Sequence, residues 1–147
     1  MTGKKSLPAR LPMAAHSLLP HRPPMLFVDQ LLERSGNRAR ALAKMPAEGI
    51  CVDDGLVFPE FFIEVVAQAM AMANGYDALC AGSGVNDGML VGIDSFSFYH
   101  TASPGTRLQI DIEKTFEFGP VKIIHGEVFD GEVLLAAGDI KVWEDLG

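Results

Sequence analysis

Hydrophobic and polar residues along this chain follow three successive patterns. From Met25 to Arg34 apolar residues such as Val28 and Leu31 stand among polar ones, and Arg38 to Met45 sets Ala39, Ala41 and Ala43 against Arg38, Arg40 and Lys44. With Ser35-Gly36-Asn37 between them, the two stretches predict a hairpin. The second pattern runs from Phe61 to Leu79, apolar nearly all round and interrupted by few charges, Glu64 and Asp77. It predicts a long helix buried on most faces. Pro59 opens it, because proline fits a first helical turn, and Glu60 and Glu64 suit the positive end of its dipole. Ala67, Ala69, Ala71 and Ala73 keep it thin, and Gly82-Ser83-Gly84 ends it.

Beyond Asp87 the pattern is strand-like throughout: Met89 to His100, Thr106 to Phe118, Pro120 to Phe129 and Glu132 to Trp143. Leu108, Ile110 and Ile112 against Gln109, Asp111 and Glu113 give the clearest alternation. Turns fall at Ser103-Pro104-Gly105, Gly119-Pro120 and Asp130-Gly131-Glu132. Two short strands, one long helix and four long strands predict an α+β fold in which a curved antiparallel sheet wraps a single helix. Residues 1–15 read as a flexible lead-in, and 16–147 as one domain whose first residues, to Pro24, are too proline-rich for more than one helical turn. One helix covers only one face of such a sheet, and long strands ending in apolar residues invite pairing with a second copy.

Charge changes the picture by excluding partners. The net charge of −7 argues against nucleic acid. Residues 1–45 nevertheless carry +6 and the remainder −13, so a basic lobe is available to an acidic partner at one place. The apolar run from Phe61 to Ala73 is short of the roughly 18 residues a membrane span requires and contains Glu64 and Gln68. Pro8 and Pro12 break any signal-like segment. Cys51 and Cys80 are too few for a disulfide framework, so the expectation is a cytoplasmic chain.

Glu64 is the first candidate for chemistry. A carboxylate among Phe61, Phe62, Ile63, Val65 and Val66 either serves as a proton donor or acceptor, or is satisfied by backbone amides near the helix start, or simply emerges at the surface. Gln68 stands one turn on, where its amide would orient Glu64 or a ligand carbonyl. The four histidines lack metal-ligand spacing, which leaves no metal site; His125 reads as a cross-strand partner and His21, among prolines, as structural. No phosphate-binding glycine loop or serine elbow occurs, so no cofactor is expected.

Leu18-Leu19-Pro20-His21-Arg22-Pro23-Pro24-Met25-Leu26-Phe27-Val28-Asp29 resembles the opening signature of the β-hydroxyacyl-acyl carrier protein dehydratases. Ile63-Glu64-Val65-Val66-Ala67-Gln68-Ala69 resembles their catalytic helix, and Leu90 to Phe98 with Pro104-Gly105 and Leu108 their following strand. The resemblance implies the hot-dog fold and dimers joined sheet edge to sheet edge. It implies further that Glu64 is the catalytic carboxylate, assisted by a histidine of the other subunit. The acyl tunnel is implied at the dimer interface, lined at Gly92 and Phe98, with Pro59 and Gln68 also substrate-binding. Backbone amides at the helix start are implied as an oxyanion hole. Acyl carrier protein or coenzyme A is the implied carrier, with Arg22 and Arg107 as docking residues for an acidic carrier protein.

The sequence departs from the family at one decisive position. The family's histidine lies fourteen residues ahead of the carboxylate, where this chain has Ile50, and residues 46–63 contain no histidine. The usual Pro-Gly at the helix start is replaced by Pro59-Glu60. Three readings follow. The chain is a dehydratase-like enzyme in fatty-acid or polyketide-type synthesis in which Asp53, Asp54 or a water held by Glu64 takes the base's part; or it is a non-catalytic partner subunit of a heteromeric dehydratase; or it is a hot-dog acyl thioesterase.

Overall fold

The computed structural model describes residues 10–83 and 88–144. Gly84, expected in the helix-ending turn, lies outside the described residues. In chain order the elements are β1 (Met13–Ala14), a 3-10 turn (Ala15–Ser17), β2 (Val28–Ser35), β3 (Arg38–Lys44), β4 (Val52–Asp53), β5 (Leu56–Val57), α1 (Glu60–Ala81), β6 (Gly88–Phe98), β7 (Arg107–Phe118), β8 (Val121–Asp130) and β9 (Val133–Glu144). Seven strands form one antiparallel sheet in the order β1-β2-β3-β7-β8-β9-β6, and β4-β5 is a separate small hairpin. This is the hot-dog fold.

The helix and the six long strands, β2, β3 and β6 to β9, fall where periodicity puts them, within a few residues, whereas the two-residue strands β1, β4 and β5 were not expected. The first strand begins at Val28 instead of Met25. Residues 13 and 14, assigned above to the lead-in, pair with Leu31 and Gln30 at the sheet edge, and Ala15 is buried. The β2–β3, β7–β8 and β8–β9 turns each contain a glycine at φ near +60°, a conformation that side chains with a Cβ resist.

The core forms where α1 meets one face of the sheet. Leu31, Ala41, Ala43, Leu108, Ile110, Ile124, Val128, Ala136 and Ile140 from the strands meet Phe61, Val65, Val66, Ala69, Met72 and Ala73 from the helix, all at most 1% exposed. Two glycines set the close approaches. A Cβ at Gly126 of β8 would lie 2.7 Å from Val66 Cγ2, so helix and sheet touch there. A Cβ at Gly75 would overlap the Leu18 carbonyl oxygen and lie 3.0 Å from its carbon, so the segment after the 3-10 turn rests directly on α1.

The interior also holds charge: Lys122 Nζ and Glu144 Oε1 are 2.6 Å apart with both side chains nearly enclosed, and Asn74 Nδ2 donates to Glu144. At the outer edge, β6 is paired only with β9 among the described residues, and two register shifts, Leu90/Gly92 and Ile93/Ser95, bend it. Its Met89, Val91 and Ile93 remain exposed.

Candidate active site

The straightforward consequence of helical spacing is that Glu64, Ala67, Gln68, Ala71 and Asn74 share one side of α1. That side forms a wall of a cavity of about 220 Å³. Leu19, Pro20 and His21 close it from the segment before β2, and Gly88, Met89, Leu90, Val142 and Glu144 from β6 and β9. Glu64 is half-buried and makes no hydrogen bond or ion pair among the described residues. Its carboxylate is therefore available to whatever enters.

Gln68 is not similarly available. It is 2% exposed, its Oε1 accepts from the Phe27 amide at 2.8 Å, and its Nε2 donates to the Met25 carbonyl at 2.8 Å. Although it borders the cavity, its amide fastens the chain ahead of β2 to the helix, and both ends are committed to backbone. This corrects the expectation that it orients Glu64 or a ligand carbonyl. The partners lie more than forty residues away in sequence, which local spacing does not reveal.

The remaining expected site residues lie apart. Pro59 adopts helical dihedrals ahead of α1, and the amides of Phe61 and Phe62 donate to the Phe58 and Pro59 carbonyls. Those two amides are thus already used within the turn that the resemblance implies as an oxyanion hole. Gly92 and Phe98 do not border the Glu64 cavity of this chain. Phe98 packs against Phe62 and Phe96, with ring centroids 6.4 and 5.4 Å away. Arg22 donates from Nη1 to the Leu19 and His21 carbonyls and from Nη2 to that of His16. Its guanidinium clamps the 16–22 segment, a structural use that the docking expectation did not include. Arg107 is exposed at the start of β7, in register with Lys44 of β3, and the two cations share one end of the sheet.

Position 50, where the family places its histidine, carries an exposed isoleucine. The neighbouring Cys51 thiol is pushed up, by burial first and then by the negative charges of Glu64 and Glu60. This environment disfavours a thiolate, and Cys51 does not line the Glu64 cavity. Asp53 and Asp54 occupy the β4–β5 hairpin and are exposed, away from the cavity lining. His125 on β8 pairs across strands with Asp139, Nδ1 to Oδ1 at 2.8 Å, as its position in an alternating strand predicts. His21 was read as structural, yet it borders the cavity with Glu64.

A carboxylate of this kind on a hot-dog helix narrows the family, and sequence comparison decides it: the ApeP-like profile, described as ApeP dehydratase, matches residues 13–146. The chain belongs to the ApeP-like dehydratase family. Similar to it is the 3-hydroxyacyl-[acyl-carrier-protein] dehydratase FabZ of Natranaerobius thermophilus, 32% identical over 132 residues, covering 84% of this chain and 89% of the relative. The FabZ of Anaeromyxobacter sp. is 31% identical over 133 residues, covering 82% and 81%. Among solved structures, the dehydratase heterocomplex ApeI:P from Xenorhabdus doucetiae superposes with a TM-score of 0.80 at 22% identity, over 90% of this chain and 91% of that one. At that identity the likeness establishes the fold. No described helix of this ApeP-like chain is long and apolar enough to cross a membrane, and the described residues contain no cluster of metal-ligating side chains.

Proposed function

We propose that this chain is the carboxylate-bearing subunit of a two-chain dehydratase acting on 3-hydroxyacyl thioesters carried by acyl carrier protein, in fatty-acid or polyketide-type synthesis. The observation that carries the reading is the unpaired Glu64 carboxylate on the wall of a largely apolar cavity. In the reaction a base takes the α-proton, the electron pair forms the carbon–carbon double bond, and the β-hydroxyl leaves as water. Glu64 gives the departing hydroxyl its proton. The imidazole that removes the α-proton comes from a second hot-dog chain, because Ile50 stands where this chain would carry it.

Two features support a partner. Among the described residues the outer edge of β6 is unpaired and exposes Met89, Val91 and Ile93, a surface on which another strand would continue the sheet. A dehydratase heterocomplex is also among the solved structures of similar fold. In such an assembly Gly92 and Phe98, which do not line the Glu64 cavity within one chain, are candidates for lining an acyl tunnel formed by both. Arg107 with Lys44 offers a cationic place for an acidic carrier protein.

The test mixes this chain with a hot-dog dehydratase chain that retains the Gly-His-Phe-Pro stretch and follows formation of the enoyl thioester from 3-hydroxybutyryl-acyl carrier protein. The mixture is expected to turn over, without release of free thiol, and Glu64→Gln to lower its rate by about 100-fold or more while leaving the far-UV spectrum unchanged. Unchanged activity in Glu64→Gln makes Glu64 structural and removes the reading. Thiol release in place of enoyl formation assigns the chain to thioester hydrolysis.

A further inference from the structure

Polar groups in the interior of this chain are paired with few exceptions. Gln68 is held at both ends, and Lys122, Glu144 and Asn74 satisfy one another. Among the described residues one buried side-chain nitrogen lacks a partner, His21 Nδ1. Its ring borders the same cavity as the unpaired Glu64 carboxylate. A lone buried polar atom costs about 1–3 kcal/mol, and here it belongs to a residue that lines the cavity of the proposed chemistry.

The ring is also held in place. Leu18 and Leu19 are buried, the Leu18 carbonyl rests against Gly75 of α1, and Arg22 clamps the carbonyls of His16, Leu19 and His21. Gln68 then ties the continuing chain at Met25 and Phe27 to the same helix that presents Glu64. Imidazole and carboxylate are therefore fixed relative to one another by one rigid element, which is the condition for a binding group to be preorganised.

The enclosure of Nδ1 selects a tautomer. A proton on Nδ1 would be a buried donor without an acceptor, whereas a proton on Nε2 leaves Nδ1 a bare acceptor and gives the ring a donor on its other side. We propose that His21 is a substrate-contacting residue of the Glu64 cavity, donating a hydrogen bond from Nε2 to an oxygen of the 3-hydroxyacyl thioester. This rests on the dehydratase reading above and deepens it: the chain lacking the family's histidine supplies a neutral imidazole donor, and the proton-abstracting imidazole remains the partner's.

The experiment uses the two-chain complex and three variants, His21→Ala, His21→Gln and His21→Asn. Glutamine places its amide NH₂ near the position of Nε2, and asparagine near that of Nδ1. His21→Ala and His21→Asn are expected to lose about two- to tenfold in kcat/KM, the worth of one neutral hydrogen bond, and His21→Gln to recover most of it. Binding of 3-hydroxybutyryl-pantetheine amide, followed by ¹⁵N resonances of the His21 ring, is expected to perturb Nε2 more than Nδ1. If the parent complex binds the probe and turns over while all three variants match it in binding and rate, the His21 assignment falls and the dehydratase reading stands. A loss of 100-fold or more that glutamine does not restore makes His21 a proton-transfer group and overturns the donor role. If the parent complex neither binds the probe nor makes enoyl thioester, the dehydratase reading fails and takes the His21 proposal with it.

Discussion

Gly75→Ala sets two effects of known sign against each other. Replacing glycine by alanine in a helix interior ordinarily stabilises by about 0.5–1 kcal/mol, since glycine loses more backbone freedom on folding. Here the new Cβ would overlap the Leu18 carbonyl oxygen and lie 3.0 Å from its carbon and 3.4 Å from its Cα. The obstacle is backbone, flanked by Leu18 and Leu19 at 3% and 5% exposure, so relief requires the whole segment to retreat by on the order of 1 Å. Overpacking of this kind costs about 1–3 kcal/mol, which exceeds the propensity gain. Gly75→Ala is therefore expected to lower the urea-unfolding free energy by about 0–2.5 kcal/mol. It should also reduce turnover of the two-chain complex, because the segment that moves carries His21. Trp143 fluorescence and far-UV circular dichroism report the first effect, and enoyl formation the second. Stabilisation by about 1 kcal/mol with unchanged turnover would refute the close contact and the idea that it positions the imidazole.

Other perturbations separate the remaining interactions. Lys122→Met should cost about 3–5 kcal/mol in urea unfolding, because it leaves Glu144 enclosed without its cation, and a loss below 1 kcal/mol would show that the carboxylate reaches water. Burial acts to lower the His125 pKa, but hydrogen bonds to Asp139 and Glu127 outweigh it and the net direction is upward. The stabilisation is then complete below the unfolded-state pKa and disappears as pH rises through the folded one, so His125→Gln should destabilise at about pH 5.5 and be nearly neutral at about pH 8.5. Because the pair is well exposed, the difference should stay under about 1 kcal/mol, and an effect growing with pH would reverse the assignment. Cys51 should alkylate more slowly than a free thiol at about pH 8, with its rate midpoint moved up, and Glu64→Gln should move that midpoint back down in a Cys80→Ser background. A midpoint indifferent to residue 64 would place the thiol and carboxylate out of electrostatic reach.

What sequence made legible follows the range of the interactions involved. The helix was readable because nineteen nearly unbroken apolar-rich positions have one stable solution, and β7 because Leu108, Ile110 and Ile112 repeat every second residue. Glu64 stood out for the same reason, a charge where the pattern admits few. Strands β1, β4 and β5 are two residues each, too short for any period, and exist through pairing that local pattern does not encode. The backbone partners of Gln68 and Arg22, and the cavity that His21 borders, are created by folding and leave no local signal. Gln68 looked like a ligand-facing amide, and only the fold shows which carbonyl and which amide it holds.

The two bends in β6 bear on which chains this one joins. A straight free edge offers its amides and carbonyls as a continuous rail that any extended peptide can follow, whereas shifts at Leu90/Gly92 and Ile93/Ser95 divide it into short, differently aimed runs. An arbitrary strand that matches one run loses the next, so promiscuous stacking is frustrated even though the side chains are greasy. A chain whose own edge kinks at complementary places meets no such penalty, and curvature, more than stickiness, becomes the password for assembly.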